Sequence, residues 1–335
     1  MVNYGQVAQS GVSMLLTILI GFLVNKFHLL PQQSVGVINK YLLKLCYLPL
    51  MMHVIGISEL KHISIMPFVI GVCGNLSSHL LLLIIFAFPL KDRFKTYISS
   101  ALPSIYINYL IVGFPMFNAI WPEKENVMIT VMCLSNDLLS VPIYLLLSNI
   151  YLIREENKKH KEANDGITTK FSFKIFLIIG QRLITNPIII GIALGFVYAA
   201  TGWHFCGYVN TILNTFGNSV LALCLYCVGG FLSQHSLIAC NVYNFICCVI
   251  VRHVVMPAFV ALYSYAFHLS GKLSRQCTIM SCLPTATATY ILTTNTGIGQ
   301  GLASTMIFWT TLFCVLFMLL WLFFFNSLNI FPEEN

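Results

Sequence analysis

Long apolar runs alternate with short polar breaks from one end of the chain to the other. Runs near 6–24, 35–57, 65–90, 97–121, 127–153, 175–199, 209–232, 242–269, 278–296 and 302–325 approach or exceed the roughly 20 residues a helix needs to cross a bilayer. The breaks carry turn formers and charges: Asn25-Lys26-Phe27-His28-Leu29-Leu30-Pro31, then Glu59, Lys61 and His62, then Lys91, Asp92, Arg93 and Lys95, then Pro122-Glu123-Lys124-Glu125. One region is strongly polar. Arg154 to Lys170 mixes charges of both signs without an apolar period, as a solvated linker does. The pattern predicts an all-α membrane protein of ten transmembrane helices, five on each side of that linker.

Two of these runs are poorly suited to plain helices. In the fourth, Pro103 and Pro115 each remove a backbone donor and crowd the carbonyl four residues back. Gly113 adds a flexible point and Asn108 places an amide halfway along. In the ninth, Pro284 interrupts, and Thr285, Thr287 and Thr289 can offer hydroxyls to freed carbonyls. In hydrocarbon a broken helix has to find partners for its freed backbone groups, so it faces protein or a water-filled cavity. In transporters such a helix often builds the substrate site. A proline-kinked helix that only packs is the alternative. Five spans per half is an odd number, which forces two copies of a duplicated unit into opposite orientations. The expected organisation is therefore a first five-helix repeat over 1–153, a cytosolic linker over 154–172 and an inverted second repeat over 173–335, with helices four and nine broken and crossing. Their main-chain polar groups are expected to stay open to a guest molecule at mid-depth.

Composition agrees with this pattern. The chain of 335 residues is 58% hydrophobic and 9% charged, against roughly 25% charged in soluble domains. Almost no length remains for a soluble nucleotide-driven motor. The net charge of +7 reflects membrane orientation rather than nucleic-acid binding. With the N-terminus outside, inner loops hold Lys26, Lys91, Arg93, Lys95, Arg154, Lys158, Lys159, Lys161, Lys170 and Lys174, and outer loops only Lys61, Lys124, Lys272 and Arg275. That asymmetry puts both termini on the non-cytosolic side. Most of the twelve cysteines sit inside apolar runs without zinc or disulfide spacing. No Gly-rich phosphate loop, metal-ligand His pair or nucleophile motif stands out, so neither an enzyme nor a cofactor is expected.

The intramembrane polar residues are the candidates for chemistry. Asp137 is the one acid deep in a span, and ionised burial requires a partner or a wet cavity. Arg182 and Arg252 lie in apolar runs, where internal pairing or snorkelling competes with attraction of an anion. Lys40 and Lys44 share one face of span two, and Lys44 could face a cavity. His53, His79 and His253 could relay protons or serve as hydrogen-bonded structural groups. Asn75 begins a formal glycosylation triplet inside span three. Gly229-Gly230 suits close helix packing.

At these residues the chain resembles the auxin efflux carrier (PIN-like) family of membrane transporters. Leu29 to Ile55, LLPQQSVGVINKYLLKLCYLPLMMHVI, is similar to its second-span signature. Asn108-Tyr-Leu-Ile-Val-Gly113-Phe-Pro115 is similar to its Asn-x-x-x-x-Gly-(Ile/Phe)-Pro. Thr185-Asn186-Pro187-Ile188, Val251-Arg252-His253 with Met256-Pro257, and Cys282-Leu283-Pro284 resemble further short motifs in the same order. The resemblance implies elevator-type alternating access for a small organic anion such as an auxin-like carboxylate. It also implies a crossover of spans four and nine with Asn108 facing the substrate, and a homodimer. Two departures stand out: Ile107 where plant members carry a proline, and Thr289 at the matching place in span nine. They move the expected interruptions to Pro115 and Pro284. The candidate solute-binding residues are Asn108, Asp137, Asn136, Leu50, His53, Pro115, Pro284, Thr285, Thr287 and Thr289. The expected setting is the plasma membrane or endoplasmic reticulum, with the lipid bilayer and the solute as partners and no nucleic acid. A non-transporting receptor for a lipid or metabolite, and a sodium-coupled anion symporter, are the alternatives.

Overall fold

Prolines set where the helices change pitch. In the computed structural model, which describes residues 4–31, 33–58, 63–87, 92–163 and 168–332, four π-turns occur: Leu42–Cys46, Tyr109–Gly113, Asn136–Ser140 and Val251–Val255. Each is followed within three residues by a proline, namely Pro49, Pro115, Pro142 and Pro257. A proline ring collides with the carbonyl four residues earlier. In all four cases that carbonyl lies in the π-turn, where the wider coil gives it room.

The helices in chain order are α1 (Tyr4–Lys26), α2 (Ser34–Gly56), α3 (Met66–Ile85), α4 (Arg93–Ile105), α5 (Tyr109–Asn118), α6 (Glu123–Ala163), α7 (Lys174–Ile184), α8 (Pro187–Thr201), α9 (Gly207–Ser233), α10 (Val242–Ala266), α11 (Gly271–Ser281), α12 (Ala288–Thr296) and α13 (Gln300–Ser327). Among the described residues no strand forms, and the one β-bridge joins Ile107 to Thr285. Seven helices are long and apolar enough to cross a membrane, or eight if α7 and α8, bent by 56°, are one crossing. The chain is thus an integral, multi-pass membrane protein. The ten expected runs map onto these seven, the bent pair, and two segment pairs, α4 with α5 and α11 with α12. No arm of those pairs reaches the length that spans about 30 Å of hydrocarbon alone.

Two sets of helices pack mainly among themselves. α1, α2, α8 and α9 form one set; α3, α4, α6, α10, α11 and α13 form the other. Backbones in the first set come very close. A Cβ added at Gly229 would lie 2.0 Å from the Ile18 carbonyl oxygen, and one at Gly191 would lie 2.6 Å from that of Leu48. Small residues permit this in lipid, where packing rather than water expulsion drives association.

The polar region after residue 153 differs from the expected loop. α6 runs on to Ala163. Glu155 with Lys158 and Lys159, and Lys158 with Glu162, are spaced to stabilise an exposed helix. Asn157 then ties the returning chain, donating to the Thr169 carbonyl (2.9 Å) and accepting from its N–H (2.6 Å). Residues 164–167, the charges expected at Glu59, Lys61, His62 and Lys91, and the Glu333-Glu334-Asn335 tail lie outside the described residues.

Candidate functional site

The two interrupted helices meet at their breaks. α4 stops at Ile105 and Tyr106 turns extended, with φ −74° and ψ 105°. The chain crosses Pro284-Thr285-Ala286 in antiparallel pairing. Asn108 N donates to the Pro284 carbonyl (2.8 Å), and Ala286 N donates to that of Tyr106 (3.1 Å). The first interruption therefore falls at Tyr106 to Asn108, not at Pro115, which instead opens the last turns of α5. Proline lacks an N–H, and one is needed where a strand-like pair forms; Pro115 instead lies within α5, where the preceding π-turn gives its ring room. The second interruption is at Pro284, as expected.

Several freed peptide groups find side-chain partners. The Asn136 amide reads Ile107 like a neighbouring strand, donating to its carbonyl (2.8 Å) and accepting from its N–H (3.4 Å). Thr310 Oγ1 accepts from Thr285 N (3.0 Å), and Thr285 Oγ1 donates to the Pro103 carbonyl (2.7 Å). Asn108 caps α5 by accepting from Ile111 N (3.3 Å). At these particular groups the main chain, expected to stay open to a guest, is taken by the protein's own side chains. An unpaired peptide group in an apolar interior costs about 1–3 kcal/mol, so the chain supplies its own partners.

Arg252 completes the crossover. It is fully buried. Its guanidinium donates to the Ser104 and Ile105 carbonyls (3.0 and 3.1 Å) and to that of Ser281 (2.6 Å). Those are the last carbonyls of α4 and α11, the electronegative ends of two helices. Next to it, His253 Nδ1 lies 3.1 Å from the Cys282 carbonyl oxygen, and its ring stacks on Phe317. Arg252 and His253 are thus internal partners of backbone. His79, bonded to Tyr97 (3.0 Å), is equally structural. Lys44 is exposed, and buried Asn75 donates to Ser135 and Ser140, out of reach of a glycan.

Asp137 lies beside the break. Its Oδ1 accepts from the Tyr106 hydroxyl (2.9 Å), and its Oδ2 is buried. Arg182 and Asn186 stand near this carboxylate. Asn108, Asn136, Asp137, Pro284 and Thr285 therefore converge. Leu50, His53 and Pro115 do not join them. They line a separate cavity of about 150 Å³ between α2, α5 and α9, and Leu110, two residues after Asn108, is part of its wall. Thr287 precedes α12 half-buried, and Thr289 is buried in α12 with its hydroxyl unpartnered; neither lines that cavity.

A family described as membrane transport proteins matches residues 7–322. The chain belongs to this membrane transporter family, that of the auxin efflux carriers. A curated relative, auxin efflux carrier component 8 of Arabidopsis thaliana, is 21% identical over 233 residues. That match covers 60% of this chain and 64% of the relative, so the shared region is less than two thirds of the carrier's length.

Sequence reasoning left several residues of these two regions unassigned. Thr310 has no polar motif around it, and only its place opposite Thr285 gives it a role. Asn210, Asn214 and Asn218 carried a readable signal, a spacing of four that aligns them on one face of α9. Asn214 and Asn218 line the cavity, and Asn210 Oδ1 accepts from the His53 ring Nε2 (2.9 Å).

Proposed function

We propose that this protein is a secondary carrier that moves a small organic solute by elevator-type alternating access. The observation that supports this most is the pair of breaks that cross at Ile107 and Thr285. Helices interrupted at depth, with their termini turned toward one another, are the hallmark of substrate sites in such carriers.

The ten-crossing, inverted-repeat organisation is part of this reading. The pairing relates Tyr106 to Pro284, Ile107 to Thr285 and Asn108 to Ala286 as a two-fold axis would. The clamp on Ile107 comes from α6 and the clamp on Thr285 from α13, the last helix of each expected repeat. In this reading α1, α2 and α7–α9 form the static part and the remaining helices move. The solute's polar end meets Asn108 and Asp137, and its apolar part the cavity beside Leu50 and His53. The setting is the plasma membrane or endoplasmic reticulum, with termini on the non-cytosolic side, and the working unit is a homodimer.

The sodium-coupled alternative meets an obstacle. Cations at broken helices are held by half-helix carbonyl ends, and Arg252 already occupies three of them. The receptor alternative draws support from the internal satisfaction of both breaks, which suits a static binding protein as well as a carrier. Reconstitution separates the readings. Solute flux into proteoliposomes supports the carrier, and saturable binding without flux supports the receptor. Asn108→Ala should lower uptake at least tenfold at equal folded protein; unchanged uptake would remove Asn108 from the site.

A further inference from the structure

Among the described residues lining the cavity between α2, α5 and α9, His53 alone can become a cation. None is lysine or arginine, and the single carboxylate, Glu123, is exposed. The other polar groups in the lining are carboxamides, Asn118, Asn126, Asn214 and Asn218. A second cavity of about 540 Å³ shares Pro115, Asn218 and Leu221 with the first and adds no ionisable side chain.

The His53 ring can gain a proton without losing a bond. The Asn210 side-chain oxygen only accepts, so Nε2 holds the hydrogen of the neutral ring. Nδ1 then carries the lone pair, and among the described residues it makes no hydrogen bond. Protonation at Nδ1 leaves the bond to Asn210 in place and makes it charge-assisted. No carboxylate among the described residues pairs with the ring. Phe205 stacks on it, 6.1 Å between centroids, and Tyr198 of α8 stacks on Phe205 in turn. α9 contributes Asn210 and Asn214, α5 contributes Asn118, and the α6 side contributes Asn126 and the exposed Glu123. His204, next to Phe205, is exposed.

A carboxylate that leaves water for such a cavity loses its hydration and needs a cation in exchange. The crossover does not offer one. Arg252 serves three backbone carbonyls, and Arg182 stands near the Asp137 carboxylate. Asp137 itself opposes a second negative charge.

We infer that His53 makes this cavity a proton-dependent carboxylate site, in which an amphipathic organic acid binds as its anion against the protonated ring, with its apolar body along Leu50 and Phe114. An uncharged N–H or O–H group at the other end of the solute then faces Asn108 and Asp137. The inference rests on the carrier reading for the position of the site and adds the group that matches the solute's charge. His53 belongs to α2, in the static part of that reading, so its proton controls occupancy and does not travel with the solute.

The test reads binding against pH. Purified full-length protein is titrated at pH 6, 7 and 8 with phenylacetate, with shorter alkyl carboxylates and with phenylacetamide, following the unfolding temperature, which a ligand specific to the folded state raises. The acids stay ionised over this range, whereas an ordinary imidazole changes charge within it. The apparent Kd grows as the binding-competent, protonated fraction falls. At least one acid should therefore bind about tenfold or more weakly at pH 8 than at pH 6, with any phenylacetamide shift independent of pH. His53→Gln, which keeps a donor for Asn210, should bind that acid as weakly at pH 6 as the natural protein does at pH 8. His53→Arg, with a charge at every pH, should keep the acid bound at pH 8. Acid binding that does not change with pH, a pH dependence that survives both substitutions, or no acid-induced shift at pH 6 overturns the inference. Proteoliposomes keep the two readings apart. Acid flux with pH-independent binding upholds the carrier and sinks the role of His53. Binding that weakens with pH through His53, without flux at any pH, upholds that role and sinks the carrier.

Discussion

The two breaks reach one geometry by different chemistry. At Ile107 there is no proline, and both polar groups of the peptide are taken by one carboxamide, Asn136. At Thr285 a proline precedes, so one donor is already absent, and a single hydroxyl, Thr310, takes the remaining N–H. Arg252 bridges the two sides. The comparison shows that an interruption at depth is specified by partners for its peptide groups. A proline reduces the number of partners required but is not what makes the break.

Substitutions at four positions probe that asymmetry, with thermal unfolding of detergent-purified protein as the common measurement. The largest effect is expected at the shared element. Arg252→Met leaves three buried carbonyls unpaired and should cost about 3 kcal/mol or more. Arg252→Lys should rescue little, because a single ammonium lacks the planar fork that reaches both helix ends. Recovery by lysine would show that charge alone, without geometry, holds the crossover.

The two clamps should differ next. Asn136→Leu strips both partners from Ile107 and should cost roughly 2–4 kcal/mol, whereas Thr310→Val strips one from Thr285 and should cost about 1–2 kcal/mol. Equal losses would mean the clamps are not the distinguishing feature of the breaks. The smallest effect belongs to the proline itself. Pro284→Ala should cost no more than about 1 kcal/mol, and the crossing should persist. A loss larger than that of Asn136→Leu would return the proline to the leading role.

The same logic separates what the candidate residues do. Asn136 and Thr285 spend their polar atoms on the protein's own backbone. Thr289 and Asn126 each keep a buried side-chain oxygen without a protein partner. The first kind holds the crossover together.

Local patterning along the chain was sufficient for a good deal. Ten apolar runs and 9% charge define a multi-pass membrane protein, because every such run has to be buried in lipid or protein. Pro284 and the polar atoms around Asn108 announce which two runs are discontinuous, since the cost of losing helix hydrogen bonds is paid within a few residues. Gly229 announces a close helix contact for an equally local reason. The position of the first break was not legible. Pro115 is the stronger local signal, yet Ile107 is where the chain opens, because its partners Asn136 and Thr285 lie far along the chain. Arg252 is 148 residues from the Ser104 carbonyl it holds. The division of the expected site into a crossover and a carboxamide-lined cavity was equally out of view, as Asn126, Asn214 and Leu50 acquire a common role only when three helices meet. Local sequence decides where a helix is expensive to continue; only the packed structure decides which distant groups accept the peptides it releases.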